Sequence, residues 1–229
     1  MGKVKSFVEN YSKIIEVSFS FISLLIVGVI GTTISINNSI TSRASLELSR
    51  AQSQPTFVVR SEKNVGTDAE NASEVITVEV SNGFAENVDV KAYSWISFSY
   101  EEDGKIVEKK AHLSNYFPSL YYSGNNRGQI LTIKDEKSYG KFLQIRKEIF
   151  DDTKERTYEL TKFKNISLKA IVSISYQDIS GNDYIKYYES KNDLYNHIDD
   201  SEGSAIIKDI NNMPKILMED LSLEELDKL

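Results

Sequence analysis

The sequence predicts a mainly β protein, an antiparallel β-sandwich carried behind one N-terminal transmembrane α-helix and a helical stalk. Three observations point there. Residues 17–36 (VSFSFISLLIVGVIGTTISI) carry no charge and lie inside a charge-free interval bounded by Glu16 and Arg43. From Thr56 onward, apolar residues recur at every second position, as they do in strands with one buried face. The stretches patterned in this way are separated by Asn82-Gly83, Asp103-Gly104 and Ser180-Gly181, which supply turn conformations. About eight short strands joined by hairpin turns fit a sandwich.

Residues 1–16 form a flank containing Lys3, Lys5 and Lys13. Gly2 with Ser6 satisfies the myristoylation pattern, although a pattern this short also arises by chance. The lysines would equally suit the start of a signal peptide, but the apolar run exceeds the usual 7 to 15 residues or so and no small-residue cleavage site follows. Residues 17–36 therefore read as a permanent anchor. A bilayer core of about 30 Å needs about 20 apolar residues as helix. The strongly apolar side chains of the run favour insertion by roughly 4 to 7 kcal/mol before the penalty from interspersed Ser, Thr and Gly. Three lysines precede the span and Arg43 and Arg50 follow it, so the positive-inside rule places the β-domain outside the cytoplasm. Gly28 with Thr32 and Gly31 with Ser35 are small residues four apart, which would let two copies of the helix approach closely and form a homo-oligomer. The same residue types are common in membrane helices that stay single.

Residues 37–54 read as a helical stalk that ends before Pro55, because the residue before proline is pushed out of the α region. Residues 55–190 form the β-domain. Ile76, Val78 and Val80 alternate with Thr77 and Glu79 in one strand; after the turn SNGFAEN, the stretch 88–100 alternates over its whole length. The turn EEDGK returns the chain into 105–112. Residues 113–128 are the least regular part, and 129–134 resume a strand. In 135–150, Phe142, Ile145, Ile149 and Phe150 have helical spacing, with strand as the alternative. Residues 158–164 and 165–176 read as strands, and the turn DISGND leads to a further strand at 184–189. Residues 191–229 read as an acidic C-terminal tail with a short helix at 222–229, where Ser222 and Glu225 form a capping box.

Composition excludes several functions. The chain has 27 Lys+Arg against 34 Asp+Glu; after the anchor, at residue 37 onward, the balance is 24 against 32. An acidic domain without a basic run cannot displace the counterions of a nucleic acid, so no nucleic-acid partner is expected. The absence of cysteine rules out disulfides, thiolate metal sites and a cysteine nucleophile.

An anchor, a polar stalk closing on Gln54-Pro55-Thr56-Phe57, a strand leading to Asn82-Gly83-Phe84-Ala85-Glu86-Asn87-Val88-Asp89-Val90, and a later Tyr176-Gln177-Asp178-Ile179-Ser180-Gly181 together resemble uncharacterised bacterial single-pass membrane proteins with an Ig-like β-sandwich after the anchor. The resemblance covers roughly residues 17–190 and implies architecture alone.

Candidate chemistry is sparse. His112 stands at a strand end and His197 beside Asp199 and Asp200, with no second histidine at ligand spacing, so a surface role is the simpler reading. The oxygens of 178–183 fit a hairpin turn better than a Ca²⁺ loop, whose glycine would stand sixth. No catalytic residue, metal or cofactor is expected. Residues 115–127 (NYFPSLYYSGNNR) set Tyr116, Phe117, Tyr121, Tyr122, Asn125, Asn126 and Arg127 among small polar residues, the composition of a recognition loop. The same aromatics could instead cap an open end of the sandwich. The expectation is a membrane-anchored, non-enzymatic module in the cell membrane that binds a protein or envelope partner through this loop. The alternative is a membrane effector or sensor subunit of signalling or anti-phage defence type, whose cytoplasmic β-domain senses a ligand and clusters the helix.

Overall fold

A computed structural model describes residues 20–21, 23–24, 28–29, 32, 35–36, 38–46, 54–66, 71–150, 163–178, 181–191 and 194–229. The chain divides into two compact units, Met1–Gln52 and Ser53–Leu229. In the first, every described residue between 20 and 46 is helical. The Thr32 hydroxyl lies 3.0 Å from the Gly28 carbonyl and 2.9 Å from the Val29 carbonyl, and donates within its own helix. The expected span 17–36 falls largely outside the described residues, and among these no helix is long and apolar enough to cross a membrane.

The second unit is mainly β, with two sheets. Its elements are β1 (Thr56–Asn64), β2 (Ser73–Asn82), β3 (Glu86–Glu102), β4 (Lys105–Ser114), β5 (Ser119–Tyr122), β6 (Gly128–Lys134), α1 (Ser138–Phe150), β7 (Phe163–Gln177), β8 (Asp183–Lys191), β9 (Leu194–Ile198), α2 (Asp200–Asn212), β10 (Lys215–Leu217) and α3 (Leu223–Asp227). The smaller sheet has the order β1-β2-β6-β5 and the larger β10-β4-β3-β7-β8-β9. All pairings are antiparallel except β10 with β4.

Register follows from the alternation. Val90 faces Ile174 and Ile96 faces Leu168 across β3 and β7, so the even-numbered side chains of both strands share one face. The early part of that face, with Val90, Val172 and Ile174, packs against Phe57, Val59, Ile76, Val78, Leu131 and Ile133 of the smaller sheet in a single core. Tyr188 ties the sheets further by donating from Oη to the Phe57 carbonyl at 3.1 Å. The rest of the face, around Ile96, Phe98 and Ile166, is covered by Phe142, Ile145 and Ile149 of α1 and by Ile216, Met218, Leu221 and Leu226 near the C-terminus. On the opposite face, Trp95, Ile171 and Tyr187 pack against Ile210 of α2.

Three stretches differ from or sharpen the sequence reading. The stretch 135–150, open between helix and strand, is helix from Ser138, started by Asp135: its carboxylate accepts from the Tyr139 N–H at 2.7 Å and the Lys137 N–H at 3.3 Å. Residues 191–229 are integral to the fold, because Ile210, Ile216, Met218, Leu221 and Leu226 have nowhere else to bury and leave at most 5% of their surface exposed. The expected strand at 158–164 lies outside the described residues except for its last two positions, which open β7.

Candidate functional site

The loop singled out by its aromatics divides in two. Tyr116 is 1% exposed and belongs to the core; its ring meets that of Phe117 edge-on, with centroids 4.6 Å apart. Phe117 is half-buried and packs against both inner cores. These two residues offer a partner little or nothing. Tyr121 and Tyr122, each 53% exposed, stand on β5, a four-residue strand paired only with β6 and therefore the free edge of the smaller sheet. Successive residues of a strand face opposite sides. Tyr122 thus turns toward the larger sheet, where its Oη accepts from the Val90 N–H at 3.3 Å, while the Lys134 ammonium sits 5.1 Å from the centroid of the Tyr121 ring.

Beyond β5, Ser123 closes the hairpin: its hydroxyl donates to the Gln129 carbonyl at 2.7 Å and accepts from the Asn125 N–H at 3.2 Å. Asn125, Asn126 and Arg127 are exposed in that hairpin. The Arg127 guanidinium lies 5.9 Å from the ring of Phe84, which is 51% exposed and was not anticipated as part of a surface. Leu120, Tyr121, Tyr122, Phe84 and Arg127 are the exposed apolar, aromatic and cationic groups of this region. In the N-terminal unit, Gly28, Thr32 and Ser35 are exposed on helix, and Gly31 lies outside the described residues.

A second feature is polar and buried. Glu74 opens β2 in phase with Ile76, Val78 and Val80, so the pleat turns its carboxylate inward, and it is 4% exposed. Its Oε1 accepts from the Ser61 hydroxyl at 2.7 Å and its Oε2 from the Tyr116 hydroxyl at 3.0 Å. Burial raises the pKa of Glu74, against the opposing pull of those bonds and of Lys63; the neighbouring Asp135 is also raised by burial. Desolvation, followed by the Glu74 charge, holds the phenols of Tyr116 and Tyr195 protonated far above their ordinary range. Beside this group a cleft of about 490 Å³ opens, lined by Lys63, Glu74, Ser167, Leu168, Lys169, Glu189, Ser190, Lys191 and Tyr195. The composition gave no hint of it; the signal available was a glutamate in step with three buried aliphatics.

The histidines do not converge. His112 pairs in register with Trp95 on one face of the larger sheet, whereas His197 pairs with Tyr188 on the other, and three strands separate β4 from β9. Asp178 of the DISGND turn accepts at Oδ1 from the Asn182 N–H at 3.0 Å, and Gly181 has φ +78, the geometry of a self-sufficient hairpin turn. No group of three metal-ligating side chains occurs among the described residues.

No protein-family model matches the sequence, and no curated protein matches it either.

Proposed function

We propose that the protein is a membrane-anchored, non-enzymatic interaction module whose Ig-like β-domain, held outside the cytoplasm, takes an extended segment of a protein partner along β5. The observation that carries this reading is an uncharged edge strand, Ser-Leu-Tyr-Tyr, with Leu120, Tyr121 and Tyr122 exposed between 39% and 53%. Free edges present unpaired N–H and C=O groups and are ordinarily blunted by charge. The opposite edge of the same sheet, β1, is blunted in this way by Arg60, Glu62 and Lys63. An added strand gains main-chain hydrogen bonds from β5, and its side chains find aromatic surface at alternate positions. The uncharged run 17–36 supports the anchor.

The test places a photo-crosslinking amino acid at Tyr121 in intact cells, with Ile106, 69% exposed on the larger sheet, as the comparison position. A discrete adduct from position 121 that disappears with Leu120→Pro is the expected result. Adducts of equal yield from both positions refute the docking edge. Sidedness is read from Glu102→Cys, a sole cysteine at the exposed end of β3, with a membrane-impermeant maleimide: labelling of intact cells supports the outside placement, and labelling only after lysis overturns it. Gly104, at φ +74, is the poorer position because a side chain there is strained.

A further inference from the structure

Four of the groups lining the cleft beside Glu74, on Lys169, Ser190, Lys191 and Tyr195, carry donors with no acceptor among the described residues. Among the described residues Lys169 and Lys191 make no ion pair, although Glu189 lines the same cleft. The Ser190 hydroxyl accepts from the Ala170 N–H at 3.0 Å, leaving its own proton uncommitted. The Tyr195 hydroxyl is buried without any hydrogen-bond partner, a rare state that costs stability wherever it is left unanswered. The local carboxylate does not answer it: Glu74 accepts from Ser61 and Tyr116 and not from Tyr195.

Strand lengths explain why an opening exists here. β7 begins at Phe163, but its pairing with β8 runs only from Ile171 to Gln177, so among the described residues no strand pairs with the first part of β7 on that side. The Ser190 side chain caps the end of the ladder at Ala170, and the notch beyond it is the cleft. Its volume falls within the range of small-molecule sites, roughly 300 to 1,000 Å³.

We propose that this cleft binds a phosphate monoester, with Lys169 and Lys191 neutralising the dianion and the hydroxyls of Ser190 and Tyr195 donating to its terminal oxygens. Two ammonium groups match two negative charges, and four donors match three oxygens rich in lone pairs; a carboxylate offers one charge and two oxygens. Lysine binds phosphate as a point charge and needs no planar match. The inference is independent of the β5 edge, and it would make the domain a ligand sensor as well as a docking surface.

The test is calorimetric titration of the full chain in detergent with glycerol 3-phosphate, with glycerol, citrate and sodium chloride of equal ionic strength as comparisons. Saturable binding of glycerol 3-phosphate is expected, weakened about tenfold or more in Lys169→Gln/Lys191→Gln by loss of two charge-assisted contacts. Tyr195→Phe should weaken binding several-fold without lowering the thermal midpoint of the free protein, because it deletes a hydroxyl that bonds to nothing there. A parallel arm with vesicles carrying phosphatidic acid distinguishes a lipid source from a soluble one; specific binding of either probe, lost in the double variant, supports the site. No saturable heat, an equal response to citrate or salt, or unchanged affinity in the double variant overturns it.

Discussion

Gly203 is the position where one methyl group should matter most. It lies in the first turn of α2 and is buried, and a Cβ built on it would sit 2.2 Å from Tyr187 Cγ and 2.5 Å from both Cβ and Cδ2 of the same side chain. Carbon atoms in contact prefer about 3.5 to 4.0 Å, so Gly203→Ala requires the helix to withdraw by more than about 1 Å or the ring to leave its place among Trp95, Ile171 and Ile210. Overpacking of a well-filled core costs about 1–3 kcal/mol, and an approach this close belongs at the upper end. Against it stands the gain of about 1 kcal/mol for alanine over glycine inside a helix. The net loss is about 2 kcal/mol, and for a unit of this size each kcal/mol moves the midpoint by about 2–4 °C, so the thermal midpoint should fall by about 4–8 °C. Trp95, the sole tryptophan and 5% exposed, reports the event directly, since a lifted α2 would wet it and shift its emission to the red. Tyr187→Ser should make the two changes non-additive, the double variant losing less than the sum of the singles. A raised midpoint in Gly203→Ala, the result helix propensity alone would give, would refute the close-approach account.

Two further predictions concern the buried carboxylate of Glu74. The pKa of Glu74 is raised on folding, so the folded state holds its proton to higher pH than the unfolded state. The stability linked to that proton is complete below the ordinary glutamate range near pH 4 and is lost as pH rises through the raised folded value. Glu74→Gln should therefore gain in thermal midpoint over the native protein as pH goes from about 4 toward neutrality; an advantage that stays flat or reverses across that range would show that the carboxylate is not desolvated as placed. Tyr116→Phe leaves Glu74 with Ser61 alone and should cost about 0.5–3 kcal/mol, the span from a neutral to a charge-assisted hydrogen bond, and nearly nothing in a Glu74→Met background, measured by chemical denaturation.

What the sequence made legible was whatever repeats at short range. Period-two alternation carried the β-sheet, and the turns at Gly83, Gly104 and Gly181 lie where the chain needs φ of +72, +74 and +78. The Ser222 cap also formed, with its hydroxyl accepting from the Glu225 N–H at 3.2 Å. The C-terminal residues were harder because their signals are weak locally and strong only in three dimensions. β10 has three residues behind a proline and is held by parallel pairing to His112, Leu113 and Ser114, distant in sequence. α2 carries a glycine that lowers its intrinsic helicity and makes sense only against the Tyr187 ring. The aromatic loop was ambiguous for the same reason: Tyr116 and Tyr121 are alike in composition, and only the placement of Glu74 on β2 decides that the first is core.

Glu74 raises the question of why a carboxylate occupies an aliphatic position at all. Its two hydrogen bonds offset part of the desolvation, yet the pKa remains raised, so ionising the group costs the fold stability. Buried ionisable groups can often be replaced by apolar ones of similar volume without loss of stability. A glutamate here is therefore better explained by what it positions than by what it stabilises. It fixes the Tyr116 hydroxyl and the end of β1 through Ser61, and it lines a cleft in which the Tyr195 hydroxyl is unanswered. Its bonds to Tyr116 and Ser61 leave Tyr195, Ser190 and the two lysines as the donors proposed to meet an anion, and Lys63 lies close enough to interact with the Glu74 charge. On this account Glu74→Gln should stabilise the free protein at neutral pH and alter phosphate-ester affinity modestly, whereas a residue kept only for the fold would change the first and leave the second untouched.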